Sequence, residues 1–498
     1  MKGKNNVFYI SLVVVFAIVL WGLVAPGNFG NAANGLFNYM VGNFGWFYLV
    51  AMFSFVGFCI WIAFSKYGKI RLGPDDSRPE CTYISWFVML FSAGMGVGLI
   101  FWGVAEPLNH FVSPLGMAGG TVEAADFAIK KSFFHWGLHP WANYSVLALA
   151  LAFMQYRKNK PGLISSIFIP LIGEERVNGP IGYLIDILAV FATVAGVATS
   201  LGLGTLQINS GLNYLFGVPE TKTIQLVIVL IVTILFMISA ISGLDKGIKF
   251  LSNLNISIAG ILMVLALIIG PTVMIINALT NGIGMYFGEY IRDSFHIEAF
   301  GNSEWFGWWT IFYWAWWIAW APFVGMFIAR ISRGRTIKEF VIGVLLVPAF
   351  GSFIWFSIFG TMGINLGLDI ATQAITSTPT AFFMVMGHYP MGNIISLITV
   401  VLLCTFFITS ADSATFVLGM MTSNGDLNPS TKKKLIWGAI QSALALALMF
   451  AGGLGTLQTA SIAAAFPFAI VMIFGMVSLV KALREEGKEM DRISQSKF

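Results

Sequence analysis

The chain reads as an all-α membrane protein of twelve transmembrane helices, and three observations carry that reading. Hydrophobic residues make up 57% of the 498 and charged residues only 10%, against roughly 25% charged in a soluble domain. Apolar stretches long enough to cross a hydrocarbon core of about 30 Å as a helix recur along the whole length. Basic residues then alternate between successive connections in the manner that sets membrane orientation.

The first span, near 7–25, follows Lys2 and Lys4 as a signal peptide would. Its run from Val7 to Ala25 is longer than a usual signal core, and a second span near 46–64 follows soon after, so a retained helix is expected. The third span covers 83–111 and the fourth 132–156. Spans five to seven lie near 180–207, 224–242 and 253–275. Between them and the next span, residues 282–305 interleave Met285, Tyr286, Phe287, Tyr290 and Ile291 with Glu289, Arg292 and Asp293, which predicts an amphipathic helix on the outer interface. Spans eight to twelve lie near 306–329, 339–363, 391–420, 435–453 and 460–480. The chain thus divides into two N-terminal helices (1–81), a five-helix half (82–281), the interfacial helix (282–305), a second five-helix half (306–480) and a short tail (481–498).

With a cytoplasmic N-terminus, only Lys130, Lys131, Lys222 and Arg292 of the 28 Lys and Arg residues fall outside. Both termini are therefore expected inside, in a bacterial cytoplasmic membrane. The net charge of +5 then reflects anchoring at the inner leaflet, in contact with lipid, and carries no hint of nucleic acid. Cys59, Cys81 and Cys404 show no metal-ligand spacing. Paired carboxylates, a nucleophile with its base and a metal triad are all missing from the spans, which argues against an enzyme. A continuous polar pore is missing too, which argues against a channel. His135 and His139 stand four apart without an HExxH glutamate or third ligand, so packing is expected of them in preference to zinc. Glu106 and Pro107 are expected to end the third helix and line an outer vestibule.

Two spans, five apart in order, look discontinuous. The third carries Gly94-Met95-Gly96-Val97-Gly98 and the eighth carries Pro322 after a tryptophan-rich run. Broken helices at matching positions predict inverted repeats, spans 3–7 and 8–12, with a binding site between them. Gly94 and Gly98 also form a GxxxG pair, which by itself signals close helix packing. Three glycines in five residues exceed that need, since each costs roughly 1 kcal/mol against alanine in a helix. Unwound backbone there offers carbonyls to a cation and amides to a carboxylate.

Aromatic residues supply the other half of the chemistry. Trp136, Trp141 and Tyr144 share one face of the fourth span, within an arc of about 140°, and Trp316, Trp317 and Trp320 share one of the eighth, within about 100°. Trp305, Trp308 and Trp309 lie near a helix end, where an interfacial belt is an equal reading. Indoles converging without charged neighbours suit a quaternary ammonium, which cannot donate a hydrogen bond but is drawn to aromatic faces. A carboxylate in the pocket would hold any cation, so its absence favours a zwitterion. In the tenth span, Thr409 and Ser410 either bond back to their own turn or offer hydroxyls to sodium, and Asp412 is an ionisable group within a span.

Five signatures together resemble the betaine/carnitine/choline transporter family: Gly94 to Gly98, Phe134-His135-Trp136-Gly137-Leu138-His139-Pro140-Trp141, Trp309 to Trp317, Ala329-Arg330-Ile331-Ser332-Arg333-Gly334-Arg335-Thr336, and Thr409-Ser410-Ala411-Asp412-Ser413. They occur in the family's order, and the resemblance runs from about residue 46 to 480. It implies a fold similar to the bacterial leucine transporter, often as a homotrimer. It also implies an aromatic box of Trp136, Trp141, Tyr144 and Trp317, with Trp314, Trp316, Trp320 and Phe323 along the cytoplasmic pathway. Gly94, Met95, Gly96 and Gly98 would face the substrate. Sodium would be held by carbonyls of Ser92, Met95 and Phe406 and by the hydroxyls of Thr409 and Ser410, with no other cofactor. A second sodium site is in doubt, because Thr193 is present but Val197 stands where the family has a second threonine.

Choline carriers of the family tend to have an acidic residue where this chain has Gly98, and the carnitine exchanger lacks the glycine pattern. The expectation is therefore sodium-coupled import of glycine betaine or a related quaternary-ammonium solute for osmoprotection. The alternative is proton-coupled choline uptake or carnitine exchange on the same fold.

Overall fold

The computed structural model describes residues 6–94, 96–242, 245–301 and 304–495. Among them the fold is helical, with a single isolated bridge between Arg71 and Thr336. Nine described helices are long and apolar enough to cross a membrane.

Helix α1 spans Asn6–Val24 and α2 spans Pro26–Phe64. The second starts some distance before the predicted 46. Its early part is rich in Gly and Asn, poor helix formers, but packing overrides propensity there. Phe37 stacks on Trp308 at 4.2 Å, and a Cβ on Gly30 would lie 2.7 Å from the Ala451 carbonyl. Pro26, in the first turn, has no amide to waste.

The third predicted span is two helices, α3 (Tyr83–Gly94) and α4 (Val97–Val112), separated at the glycine run. The fourth is also two, α5 (Val122–Trp136) and α6 (Leu138–Ala152), broken at Gly137. Helix α7 (Pro180–Phe216) is buried over most of its length and packs on α4 and on three later helices, α11 (Phe312–Ile331), α13 (Gly392–Met421) and α14 (Thr431–Gln495). Between these lie α8 (Lys222–Ser242), α9 (Asp245–Ile269), α10 (Thr272–Phe295) and α12 (Ile337–Asn365). Thr336 and Glu339 form a reciprocal capping box at the start of α12.

Helix α14 doubles back. At its kink Gly453 has φ of +61°, a left-handed conformation that glycine adopts without penalty. Near its start, Lys434 donates to the Ala240 carbonyl, and Phe450 accepts from Lys222 at the opposite end of α8. Past the kink, Gln458 reaches Trp308, and Glu486 pairs with Arg157 and Lys158. Those last contacts lie among the basic loops, which meet one another: Ile337 N–H donates to Ile70 and Leu72 N–H to Arg335, while Arg157 bridges Asp75 and Glu486. Arg335 is buried under Trp86, its guanidinium carbon 4.0 Å from the ring centroid.

Three expectations are corrected. Helix α11 runs unbroken through Pro322, after a π-helical turn at Gly307–Ile311. A membrane helix tolerates proline where neighbours hold it on all sides, and Ala321 and Val324 beside Pro322 are fully buried. The discontinuity paired with the glycine run is instead at Gly137, so the argument for repeats from broken spans five apart loses its premise. The helix predicted over 282–305 runs over Thr272–Phe295, because Gly270 and Pro271 end α9 earlier. Asp293 on this helix is buried against Lys130 and Lys131, while Phe287, Ile291 and Arg292 point outward. Glu106 and Pro107 do not end a helix, since α4 continues to Val112 with Glu106 fully buried.

Candidate substrate cavity

The break at Gly137 explains how the aromatic residues are aimed. A Cβ at this position would lie 2.6 Å from the Phe133 carbonyl and 2.8 Å from the Tyr286 hydroxyl, so only glycine fits. Interrupting the helix leaves carbonyls of α5 and amides of α6 without intrahelical partners. Side chains take both. The Trp317 indole N–H donates to the His135 carbonyl at 3.0 Å, and the Leu138 N–H donates to the Tyr286 hydroxyl of α10 at 3.0 Å. The amide of Asn143, on α6, donates to the Trp317 carbonyl at 2.8 Å. Helices α5, α6 and α11 are thereby locked at the level of Trp136 and Trp317.

A small cavity of about 20 Å³ opens beside these residues, between Gly96, Val97, Gly98, Trp136, Ser200, Leu201, Trp316, Trp317, Trp320, Phe407 and Ser410. That is room for a water molecule or two. No ionisable side chain is among the described residues that line it. Trp316 and Trp317 stack at 5.0 Å and 18°, and Trp136 stands edge-on to Trp317 at 4.8 Å and 77°. A Cβ on Gly98 would meet Trp316 Cη2 at 2.8 Å and Trp136 Cη2 at 3.1 Å, so the two indole edges close over this glycine. Trp320 is fixed by donating to the Gly196 carbonyl at 2.8 Å, an approach that the bare Gly196 permits.

Of the aromatic residues expected at the site, Trp136, Trp316, Trp317 and Trp320 line the cavity, as do Gly96 and Gly98. Tyr144 lies behind, edge-on to Trp317 at 6.3 Å, and Trp141 lies behind Tyr144 at 5.6 Å. Phe323 packs against Trp320 at 5.4 Å. Trp314 is not brought to the cavity: it stacks on His139 at 4.7 Å, on the side of α11 that faces α10. Gly94 closes α3, Ser92 belongs to the same last turn, and Met95 lies outside the described residues. Trp305 and Trp309 pack inward on His110, at 5.3 and 4.5 Å, and do not form an interfacial belt.

Ser410 faces the break between α3 and α4: a Cβ on Gly96 would sit 3.6 Å from its hydroxyl oxygen. Thr409 bonds back to the Thr405 and Phe406 carbonyls at 3.1 and 3.2 Å and accepts from Asn255 at 3.3 Å. Thr193 is buried and bonds back to Ala189 at 2.8 Å, away from the cavity lining. Asp412 accepts from Ser239 at 2.6 Å.

Sequence reasoning missed Ser200, Leu201, Val97 and Phe407 of the lining. Nothing in their residue types separates them from ordinary core; the small-residue run Gly196, Gly202, Gly204 on α7 is the signal that neighbours approach closely there. It also missed a buried hub above the cavity. Glu106 Oε2 accepts from the Trp136 indole at 2.8 Å and from the Tyr313 hydroxyl at 2.6 Å. Its Oε1 pairs with His135 Nδ1 at 2.6 Å and stands 3.4 Å from His110 Nε2, while His135 Nε2 meets Thr310 at 3.0 Å. A glutamate with two histidines is a metal-type donor set. The 2.6 Å separation is nevertheless a hydrogen bond, since two ligands of one tetrahedral zinc with bonds of about 2.0 Å stand roughly 3.3 Å apart. His139, the other member of the expected histidine pair, points away to Tyr290 and Ser294.

A family model described as betaine/carnitine/choline family transporter matches residues 6–488. The chain is 51% identical to the glycine betaine transporter OpuD of Bacillus subtilis over 99% of its own length and 97% of that protein's. It is 46% identical to a probable glycine betaine transporter of Desulfitobacterium hafniense, covering 97% and 98%. Its identity to an ectoine/hydroxyectoine transporter of Virgibacillus pantothenticus is 44%, covering 98% of both.

Proposed function

The chain belongs to the betaine/carnitine/choline transporter family, and from that premise we propose that it imports glycine betaine, coupled to sodium, across a bacterial cytoplasmic membrane. The observation that carries the substrate is the cavity walled by Trp136, Trp316, Trp317 and Trp320, with no ionisable group among the described residues of its lining. Desolvated indole faces attract a quaternary ammonium by about 2 kcal/mol. The Trp316 N–H has no hydrogen-bond partner among the described residues, which leaves a donor for a carboxylate. Attraction for the cationic head together with a donor for the acid describes a zwitterion.

The cavity is too small for betaine as it stands, so binding requires the indoles to part. Alternating access supplies that motion, one group of helices rocking against another about a central site. We read the eight other long helices, the two broken pairs α3/α4 and α5/α6, and the two arms of α14 as twelve crossings. On this reading spans 3–7 and 8–12 form the two halves, and both termini are cytoplasmic.

Sodium would sit where α13 meets the break, on the Phe406 carbonyl and the hydroxyls of Thr409 and Ser410. One sodium ion crossing about 100 mV releases roughly 2.3 kcal/mol, and a tenfold gradient adds about 1.4. Accumulation of a neutral zwitterion by roughly 500-fold follows from those two figures. Labelled betaine uptake into proteoliposomes, with a sodium or a proton gradient imposed separately, tests the proposal. Uptake driven by protons alone, or exchange without either gradient, would return the alternative of choline or carnitine transport. Ectoine belongs in the competition assay, because a 44% identical relative carries that name.

A further inference from the structure

Two sets of helices enclose the cavity. On one side α4, α5 and α11 are bonded to one another, through Glu106 to Trp136 and Tyr313 and through Trp317 to the His135 carbonyl. On the other side are α7 and α13, which contribute Ser200, Leu201, Phe407 and Ser410. Among the described residues two side-chain hydrogen bonds run between the sets, and both involve α7. The Trp320 indole donates to the Gly196 carbonyl at 2.8 Å, and the Gln207 amide donates to the Ile100 carbonyl of α4 at 3.2 Å. Gly196 precedes the cavity-lining pair Ser200 and Leu201 along α7 and Gln207 follows it, so the two bonds close the cavity at opposite ends. On the topology proposed above, in which α7 runs outward, Gln207 holds the outer end.

The two bonds are not equivalent. An indole N–H is a single donor, and that of Trp320 has its acceptor. Gln207 is fully buried, yet its Oε1 has no hydrogen-bond partner among the described residues. The contact between the helices is otherwise apolar one turn back, where a Cβ on Gly204 would lie 3.2 Å from both Val97 and Phe407. A buried acceptor left unpaired costs more than one neutral hydrogen bond returns, so the closed contact is opposed by the side chain that bridges it. Parting α7 from α4 breaks one bond and lets water reach both ends of the amide.

We propose that Gln207 is the release residue of the outer gate: its half-paired amide keeps the outer end of the closed cavity poised to open, while the paired indole of Trp320 holds the other end. This rests on the transport reading above and adds to it which end opens more readily. The consequence for a substitution is counter-intuitive in sign. Methionine is close to glutamine in length and carries no strong acceptor, and exchanging a half-satisfied polar group for an apolar one of like shape stabilises a buried contact. Gln207→Met removes a hydrogen bond and nevertheless closes the outer end.

The test reads access to the cavity from each face of the membrane. Leu201→Cys, in a chain whose Cys59, Cys81 and Cys404 are replaced by alanine, places one thiol in the cavity lining. The probe is 2-(trimethylammonio)ethyl methanethiosulfonate, which does not cross lipid and carries the head group that the cavity is proposed to accept. Its reaction rate is measured in right-side-out and inside-out vesicles, with Gln207 and with Gln207→Met. The expected result is a rate from the outer face that falls about five- to ten-fold with methionine, and a rate from the cytoplasmic face that does not fall. An equal or faster outer rate overturns the proposal, as does an equal fall from both faces, the mark of a general tightening. A thiol that does not react from the outer face with Gln207 in place overturns it too, since the outer end then never opens. Should the methionine variant not fold, Gln207→Leu makes the same comparison with the same outcomes. Wild type that takes up no betaine overturns the functional reading and this proposal together, whereas uptake with an unchanged outer rate overturns this one alone.

Discussion

The indole N–H of Trp317 donates to the carbonyl of His135 across 3.0 Å, a carbonyl that is available because Gly137 ends α5 two residues later. The same side chain is therefore a wall of the cavity and a plug for a broken helix. Trp317→Phe keeps an aromatic face and removes the plug. We expect a stability loss of about 1–3 kcal/mol for the orphaned carbonyl, read from thermal unfolding in detergent. Trp317→Ala, which loses the face as well, should weaken betaine by at least about 1–2 kcal/mol. Wild-type affinity in the folded alanine variant would move the site elsewhere.

Tyr286 plays the reciprocal part on the other side of the break. Tyr286→Phe leaves the Leu138 N–H without its acceptor, and a buried unpaired amide costs about 1–3 kcal/mol. The variant should melt earlier than wild type, and an unchanged melting temperature would show that α10 does not secure the break.

Asp293 should matter to stability and not to selectivity. It pairs with the buried Lys131 at 3.0 Å and with Lys130 at 3.3 Å. Asp293→Ala strands Lys131 away from water, a loss of about 3–5 kcal/mol for a broken buried pair. Comparing yield and unfolding temperature with those of Asp293→Asn checks this. Substrate competition profiles are expected to stay the same in whatever fraction folds.

Gly98 is closed over by two indoles, so any side chain there must push them. Gly98→Ala is expected to lower the affinity for betaine several-fold, overpacking costing about 1–3 kcal/mol. The structure also bears on choline. An aspartate at this position would supply a counter-charge for a cationic ligand, but only after Trp136 and Trp316 have moved. Gly98→Asp should therefore lose betaine uptake whether or not it gains choline binding. Full betaine transport by either variant would show that the closed arrangement is not on the transport path.

Thr409 and Ser410 test the sodium reading. The double variant Thr409→Ala/Ser410→Ala removes two hydroxyl ligands and leaves the backbone carbonyls. It should raise the sodium concentration for half-maximal uptake strongly with little effect on yield. Because coupling between two ligands is reciprocal, sodium should also cease to increase betaine affinity. A folded double variant with wild-type sodium dependence would turn attention to Thr193 and its neighbours.

Much of the cavity lining was legible one residue at a time. Trp136, Trp316, Trp317 and Trp320 stand out because indoles at helical spacing in the middle of apolar spans have no interfacial explanation, and Gly96 and Gly98 stand out because glycine is costly in a helix. Pro322 misled for the opposite reason. Its signal is local, and whether a proline breaks a membrane helix depends on what packs around it. Gly137 gave no signal beside Pro140, although its lack of a side chain is what allows the break. Ser200 and Leu201 reach the cavity only through the placement of α7.

Composition, hydropathy and the alternation of charge by themselves determined that this is a helical membrane protein, since lipid demands that every backbone group be satisfied within its own segment. The residue types carry the proposed kind of ligand, because aromatic faces without carboxylates suit a head group that cannot donate a hydrogen bond. Tertiary structure alone decided the rest. It brought Glu106, His110, His135 and Tyr313 together from three helices, turned Asp293 of α10 inward to meet Lys130 and Lys131, and sent Trp314 away from the cavity while Trp316 and Trp317 face it. Each depends on the rotation and approach of neighbouring helices. Helical period gives the angular spacing of residues on one helix, but it does not say which face a partner will cover.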